Sequence, residues 1–371
     1  MEPDSPQRIA RLTPLAEVLA RMDRLVKPVA AIRTELVTAH GCILAEDAVA
    51  PDAIPAAAIA LRDGWAVPSD LTTDAGAYAP APLPSAAPIE VGQPLPPGCD
   101  AVAPFDAVMG RDGSAKALAP VGPGEGVLPA GGDVAAGGLL LAAGRRLLAK
   151  HISALAVAGV GRVSVRVPRL RLLAARAEDL LFEAAVAVIA GDIAAASARP
   201  QHPDGDHDFD DALQADGADA VVVIGGTGSG RNDTSVSALA RLGQLEVHGI
   251  ALAPGETTAF GFVGPRPVLL LPGRLDAALA AWLVLGRRLM ARLCGAGEAE
   301  PATKARLGRK VASAPGVAEW VPVRMRNGAA EPIASGYVPL AALAQADGWI
   351  LVPPESEGYP PGSEVMVRPW S

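Results

Sequence analysis

Residues 221–235 read VVVIGGTGSGRNDTS, and this stretch decides the fold. A β-branched apolar run, Val221-Val222-Val223-Ile224, enters a glycine-rich turn. The polar tetrad Arg231-Asn232-Asp233-Thr234 then opens a helix. Glycines let a backbone approach a ligand closely and turn its N–H groups outward, which suits phosphate. A carboxylate at such a place needs a cation, a proton or a buried partner. The segment points to a phosphorylated ligand with a metal, held on an α/β scaffold.

The flanking pattern extends that scaffold over residues 169–293. Residues 170–174, 186–189, 220–224 and 268–271 read as strands. A helix after Asp233 carries Val236, Leu239 and Leu242, and residues 276–293 read as a long apolar helix. Strands alternating with helices predict a parallel, doubly wound sheet with its ligand at the carboxyl ends of the strands. Two Pro-Gly turns, Ala253-Pro254-Gly255-Glu256 and Leu271-Pro272-Gly273-Arg274, read as ends of strands in this same sheet. With the glycine loop they predict a pocket at one sheet edge.

N-terminal to this unit, residues 14–26 read as an amphipathic helix with Thr13 as N-cap and Pro14 at the first position. A second helix is expected over 33–39. Between 51 and 126, Pro and Gly punctuate short apolar runs at 65–67, 88–91 and 101–103, as in a small β-barrel or sandwich. Residues 75–88 read as an exposed loop. Residues 138–167 give a strand, a helix at 150–158 and a strand in which Val163, Val165 and Val167 alternate with polar residues. Past a polar link at 295–303 the chain is again strand-rich, at 349–352 and 364–368. The expected division is a discontinuous domain of 8–50 with 138–168, a β-rich lid of 51–137, an α/β domain of 169–298 and a C-terminal β domain of 299–371.

Composition narrows the partners. Of 371 residues, 50% are apolar, the net charge is −8, and no dense basic stripe is present. Aromatics are sparse and not interleaved with Lys or Arg, so nucleic acid is not an expected ligand. Cys42, Cys99 and Cys294 form no CxxC pair, which argues against a disulfide framework or zinc and fits a reducing cytoplasm. No apolar run reaches the ~20 residues of a membrane span, and the N-terminus carries no apolar signal core.

Three aspartates could carry chemistry. Asp63, in Arg62-Asp63-Gly64-Trp65, is open to reading as an Asx-turn or as a presented carboxylate. Asp133, between Gly131-Gly132 and Gly137, reads by default as a turn residue. Asp233 follows the glycine loop at a helix start. An N-cap worth ~1 kcal/mol would explain it, but not Gly225, Gly226, Gly228 and Gly230 upstream. The acidic run at 201–211 lacks the order of a Ca²⁺ loop and reads as a solvated loop before a helix. His40, His151 and His248 show no nucleophile–base pattern, and no GxSxG, HExxH or complete Walker motif occurs.

These segments, in this order, resemble the MoeA / gephyrin E-domain family of molybdopterin molybdenumtransferases over nearly the whole chain. Residues 41–67, GCILAEDAVAPDAIPAAAIALRDGWAV, are similar to the family segment ending in Asp-Gly-Tyr-Ala-Val. Residues 92–102, GQPLPPGCDAV, resemble Gly-Ala-Pro-Leu-Pro-x-Gly-Ala-Asp-Ala-Val. Gly131-Gly132-Asp133 through Gly144 resembles the Gly-Glu-Asp region. Ser335-Gly336 followed by Ala346-Asp347-Gly348 resembles the C-terminal Ser-Gly and Ala-Asn-Gly pattern.

The resemblance implies an elongated four-domain homodimer that binds adenylated molybdopterin, cleaves its pyrophosphate with release of AMP, and places molybdate on the dithiolene sulfurs. It implies Mg²⁺ held by Asp63 and Asp233, meeting across the dimer, with Asp133 as a further acidic site residue. Gly225, Gly226, Gly255, Gly273 and Ser335 carry over as ligand contacts. Thr227 and Gly228 join them from the glycine loop, which is similar to that of the related molybdopterin adenylyltransferases. A molybdopterin adenylyltransferase and molybdoenzyme clients are the implied partners.

The chain departs from the family at its cationic loops. Ala253-Pro254-Gly255-Glu256-Thr257 stands where Lys-Pro-Gly-Lys-Pro is usual. Pro272-Gly273-Arg274-Leu275 stands for Pro-Gly-Asn-Pro, so that Arg274 is expected to restore one positive charge. Ala175-Arg176-Ala177-Glu178-Asp179 occupies the place of Thr-Gly-Asp-Glu. Three readings stand: a Mg²⁺-dependent molybdenum-inserting enzyme, a catalytically weak carrier of molybdopterin or finished cofactor, and an adenylyltransferase.

Overall fold

The computed structural model describes residues 7–111, 114–176, 179–202, 208–297 and 301–370. Much of the acidic run at 201–211, and the 177–178 part of the Ala175–Asp179 departure, lie outside the described residues.

The apolar run after residue 219 forms the strand Ala220–Ile224, buried along its whole length. It sits inside a six-stranded sheet ordered Arg199–Gln201, Arg169–Ala174, Ala220–Ile224, Arg266–Leu271, Ala259–Val263, Gln244–His248. The first four strands are parallel, and the last two add on antiparallel. Successive side chains alternate between faces. Val222 and Ile224 enter a core with Phe182, Ile189 and Ile193 of the helix Leu180–Ala195 and with the helices after Arg274. Val221 and Val223 enter a second core with Leu213, Val236 and Leu239. Burial on both faces is why the strand reads as an unbroken apolar run.

Several local expectations are corrected. Residues 186–189 are not a strand but lie within the helix Leu180–Ala195, which opens with Asp179 accepting a hydrogen bond from the Leu181 amide at 3.0 Å. That helix is apolar nearly all round, so its β-branched segment carries no helical period. Residues 33–39 are not a helix. Ile32–Glu35 pairs antiparallel with Arg162–Arg166, and Leu36–Thr38 is a short 3₁₀ turn. Thr13 does not cap the helix Leu15–Leu25. Its amide donates to the Gly249 carbonyl at 2.9 Å, and Thr13–Pro14 pairs in parallel with Ile250–Ala251. Residues 75–88 are not wholly an exposed loop, because Ala81–Leu83 and Ala87–Ile89 are strands with Leu83 and Ile89 buried.

The correction that bears most on the site concerns Ile250–Ala253. This strand follows Gln244–His248 after Gly249 alone, yet it leaves the α/β sheet. It runs parallel between Thr13–Pro14 and Ala318–Arg326 in another sheet. A sequence shows that a strand exists but not which sheet takes it up.

Beyond the α/β unit, the strand Ala318–Arg326 pairs with Ala329–Pro332, which pairs with Thr303–Leu307, then Glu364–Pro369, then Gly348–Val352, which returns to Ala318–Arg326. Five strands thus close into a ring around Leu307, Val321, Val323, Ile350 and Val365. Residues 59–128 form small sheets, including two of three strands, whose Val67, Ala101, Leu83, Val108 and Ala117 share one core. Among the described residues no helix is long and apolar enough to cross a membrane.

Candidate functional site

The glycine loop leaves the carboxyl end of Ala220–Ile224. Gly225 and Gly226 adopt φ +93° and +72°, a region that only glycine enters without strain. Space is as decisive as torsion here. A Cβ on Gly225 would lie 2.0 Å from Phe182 Cε1, and one on Gly226 would lie 2.2 Å from Ser235 Oγ. Phe182 also stands 3.1 Å from where a Cβ on Gly273 would be, so one ring presses the loop against the turn at 271–274. Phe182 was not singled out from the sequence, because an aromatic in an apolar helix looks like any core residue.

The amides of Gly226, Thr227, Gly228 and Ser229 donate to no protein acceptor among the described residues. The loop's carbonyls, by contrast, are anchored. Gln7 Nε2 donates to the Gly226 and Gly228 oxygens at 3.0 and 2.9 Å, and His248 Nε2 donates to the Thr227 oxygen at 3.1 Å. A run of N–H groups facing away from anchored carbonyls is the arrangement that holds an anion. Burial holds the His248 imidazole below its ordinary pKa, partly offset by its bond to Thr227.

Asp233 stands at the far end of the loop. Its Oδ2 accepts from the Gly230 amide at 3.0 Å, and its own amide returns a bond to the Gly230 carbonyl. The helix itself, Ser235–Leu242, begins one residue later than an Asp233 N-cap would require. Asp233 therefore closes the loop rather than capping the helix.

Two turns touch this one, and a third is linked to them. The turn at 253–258, although it ends a strand of a different sheet, reaches the loop through the Thr257 and Thr227 hydroxyls, 2.9 Å apart. Within it the Gly255 amide donates to Glu256 Oε2 at 3.0 Å. The turn at 335–337 is held by Glu319 Oε1, which accepts from the Gly336 amide at 3.1 Å. Glu319 is also the register partner of Ala253. Arg274 lies over the Tyr337 ring, 5.4 Å from its centroid. Contacts thus join Gly225–Gly228 to the turn of Gly255 through Thr257 and to Gly273 through Phe182, while the turn of Ser335 is linked through Tyr337 to Arg274.

The expected cation has a carboxylate partner of its own. Arg274 gives Nε and Nη2 to the carboxylate of Asp276, at 3.0 and 2.8 Å, and Asp276 is buried. The hydrogen bond to Asp276 raises the Arg274 pKa, with the Glu256 charge adding to the shift. The cation is present, but it is already paired.

Asp63 and Asp133 lie elsewhere in the chain. Asp63 is exposed, and its Oδ1 accepts from the Val91 amide at 2.8 Å, a tie across 28 residues and not a local Asx-turn. Asp133 is exposed in a turn whose amide donates to the Ile54 carbonyl at 3.0 Å. No hydrogen bond or ion pair among the described residues joins Asp63 to Asp233, and no three His, Cys, Asp or Glu side chains there gather as a metal site. Mg²⁺ needs only one or two carboxylates beside phosphate and water. The donor chemistry of Asp233 next to the open amides fits that requirement, whereas Asp63 within the same chain does not.

Comparison with known proteins covers the same ground. Residues 13–159 match the family model of the MoeA N-terminal region (domain I and II), and residues 304–370 that of the MoeA C-terminal region (domain IV). Residues 172–292 match the model described as "Probable molybdopterin binding domain". Molybdopterin molybdenumtransferase 1 of Mycobacterium tuberculosis is 29% identical over 342 residues, covering 82% of this chain and 79% of that protein. A molybdopterin biosynthesis protein of Methanocaldococcus jannaschii is 31% identical over 150 residues, which is 40% of this chain and only 36% of that protein. The crystal structure of a molybdopterin biosynthesis MoeA protein from Pyrococcus horikosii superposes with a TM-score of 0.81 at 26% identity, covering 97% of this chain and 100% of that one.

Proposed function

The chain belongs to the MoeA family, and from that premise we propose that it is a molybdopterin molybdenumtransferase of molybdenum cofactor biosynthesis. It binds adenylated molybdopterin, the pyrophosphate is cleaved with release of AMP, and molybdate is placed on the dithiolene sulfurs. The observation that carries this reading is the row of four open amides, Gly226 to Ser229, beside the turns at 253–258 and 271–274. These amides take the phosphate oxygens of the ligand. Gly255, Gly273, Arg274 and Ser335 border the same space.

Asp233 would hold Mg²⁺, with Asp63 joining from the second subunit of a homodimer. Mg²⁺ bound there supplies charge neutralisation and a template for the phosphate oxygens. The chain's own part is to bind and orient. The amides fix the phosphate, Asp233 holds the loop's exit through Gly230, and Thr227 with Thr257 fixes the opposite wall. Asp133, exposed in the β-rich region, is a further acidic residue for the ligand. Function in the cytoplasm, beside an adenylyltransferase that supplies the substrate and molybdoenzymes that take the product, completes the reading.

A second reading is favoured by the paired charge. Glu256 occupies the Gly255 amide, and Asp276 holds Arg274, so cationic help for a polyanion is small. A carrier that binds without turnover fits this. The deciding assay supplies purified protein with adenylated molybdopterin, Mg²⁺ and molybdate and follows AMP. Slow release that Asp233→Ala abolishes supports the enzyme. Tight pterin binding without AMP from the wild-type chain supports the carrier and overturns the enzyme. ATP-dependent adenylation of free molybdopterin would point to the third reading.

A further inference from the structure

Gln7 has no part in any motif, yet it is 3% exposed and uses its whole amide on the glycine loop and its helix. Nε2 donates to the carbonyls of Gly226 and Gly228, and Oε1 accepts from the Ser237 amide at 2.8 Å, with the Ser237 hydroxyl at 3.4 Å. These partners lie 219 to 230 residues away in sequence. The segment that carries Gln7 is itself fixed: a Cβ on Gly249 would meet Ile9 Cγ2 at 2.4 Å, and Thr13 bonds the Gly249 carbonyl.

We propose that Gln7 is a positioning residue of the phosphate loop, aiming two of its donors through the carbonyls that precede them. A trans peptide is planar, and its C=O and N–H point in opposite directions. Holding the Gly226 oxygen turns the Thr227 amide outward, and holding the Gly228 oxygen does the same for Ser229. His248 acts likewise on the peptide between them, fixing the Gly228 amide through the Thr227 oxygen. Three successive planes are thereby set from behind, two of them by one side chain. At the same time the Ser237 amide, an open donor of the helix's first turn, is taken by Gln7 Oε1. One first-turn amide is thereby occupied, beside the Ser235 amide, which itself donates to the Gly226 carbonyl at 3.1 Å.

The consequence for the reaction rests on the proposed phosphate-binding role of this loop; the contact itself does not. Hydrogen exchange on the wild-type chain reads the contact directly, because the Ser237 amide has Gln7 as its acceptor. Slow exchange at Ser237 is expected, and exchange at the rate of an unprotected amide would overturn the proposal. Gln7→Met keeps the length and apolar stem but removes the amide. It should release Ser237 to fast exchange and raise KM for adenylated molybdopterin about tenfold, with kcat within about twofold, since ground-state and transition-state binding are lost alike. An unchanged KM with a released Ser237 would overturn the positioning role. If wild-type protein shows slow exchange but no AMP release or pterin binding, the functional reading fails while the Gln7 contact stands.

Discussion

Thr227 and Thr257 place their hydroxyl oxygens 2.9 Å apart, and this bond joins the glycine loop of the α/β sheet to a turn that ends a strand of another sheet. Thr227 is 1% exposed, so its hydroxyl depends on that partner. Replacing either residue by Val keeps the shape and leaves the other hydroxyl unpaired, at a cost of about 1–3 kcal/mol. Removing both should cost little more than removing one. A double-mutant cycle by urea unfolding should therefore give a coupling close to one single cost, about 1–3 kcal/mol. Strict additivity would mean the two hydroxyls do not support each other.

Gly225→Ala should be strongly destabilising. It forces φ +93° on an L-residue and drives a Cβ to 2.0 Å from the Phe182 ring. A loss above ~2 kcal/mol is expected in thermal unfolding, combining strain and overpacking. Adding Phe182→Leu should recover part of it, the remainder being the backbone torsion. Full recovery would show that torsion costs nothing here.

Glu256→Ala opens the Gly255 amide and removes a negative charge that lies near Arg274. Binding of adenylated molybdopterin should tighten by about tenfold, ~1.4 kcal/mol, and become more salt-sensitive. Isothermal titration at two ionic strengths measures both effects. An unchanged affinity would place the ligand's charge away from this turn.

Burial lowers the His248 pKa, so the folded chain keeps this imidazole neutral where the unfolded chain begins to protonate it. Its contribution to stability is complete above the ordinary value of about 6.5 and is lost as pH falls from there through the lower folded value. The unfolding midpoint of the wild-type chain should drop more steeply below about pH 6.5 than that of His248→Gln. Parallel midpoint curves from pH 7 to 5 would contradict this.

The sheet was legible because Val221 to Ile224 and Val268 to Leu271 are apolar runs bounded by glycine or proline, a pattern that burial on both faces produces. The helix at 180–195 was missed, and its middle read as a strand, for the same reason in reverse: with apolar residues on every side, Val186 to Ile189 show no period. The loop glycines were legible from their clustering. What could not be read was long-range. Gln7 carries no pattern, the Asp276 partner of Arg274 sits two residues on but acts through burial, and the tie of Asp63 to Val91 depends on the pairing of Gly64–Val67 with Ala87–Ile89.

The strand Ile250–Ala253 has a consequence for modularity. The segment similar to molybdopterin binding domains, residues 172–292, includes this strand, but both of the strand's sheet neighbours, Thr13–Pro14 and Ala318–Arg326, lie outside it. Cut out as a cassette, that segment would carry the turn at 253–258 on a strand with two bare edges, and one wall of the site would lose its support. The α/β unit is thus self-contained as a sheet but not as a site, and exchange between relatives would have to carry the N-terminal arm and the C-terminal barrel along with it.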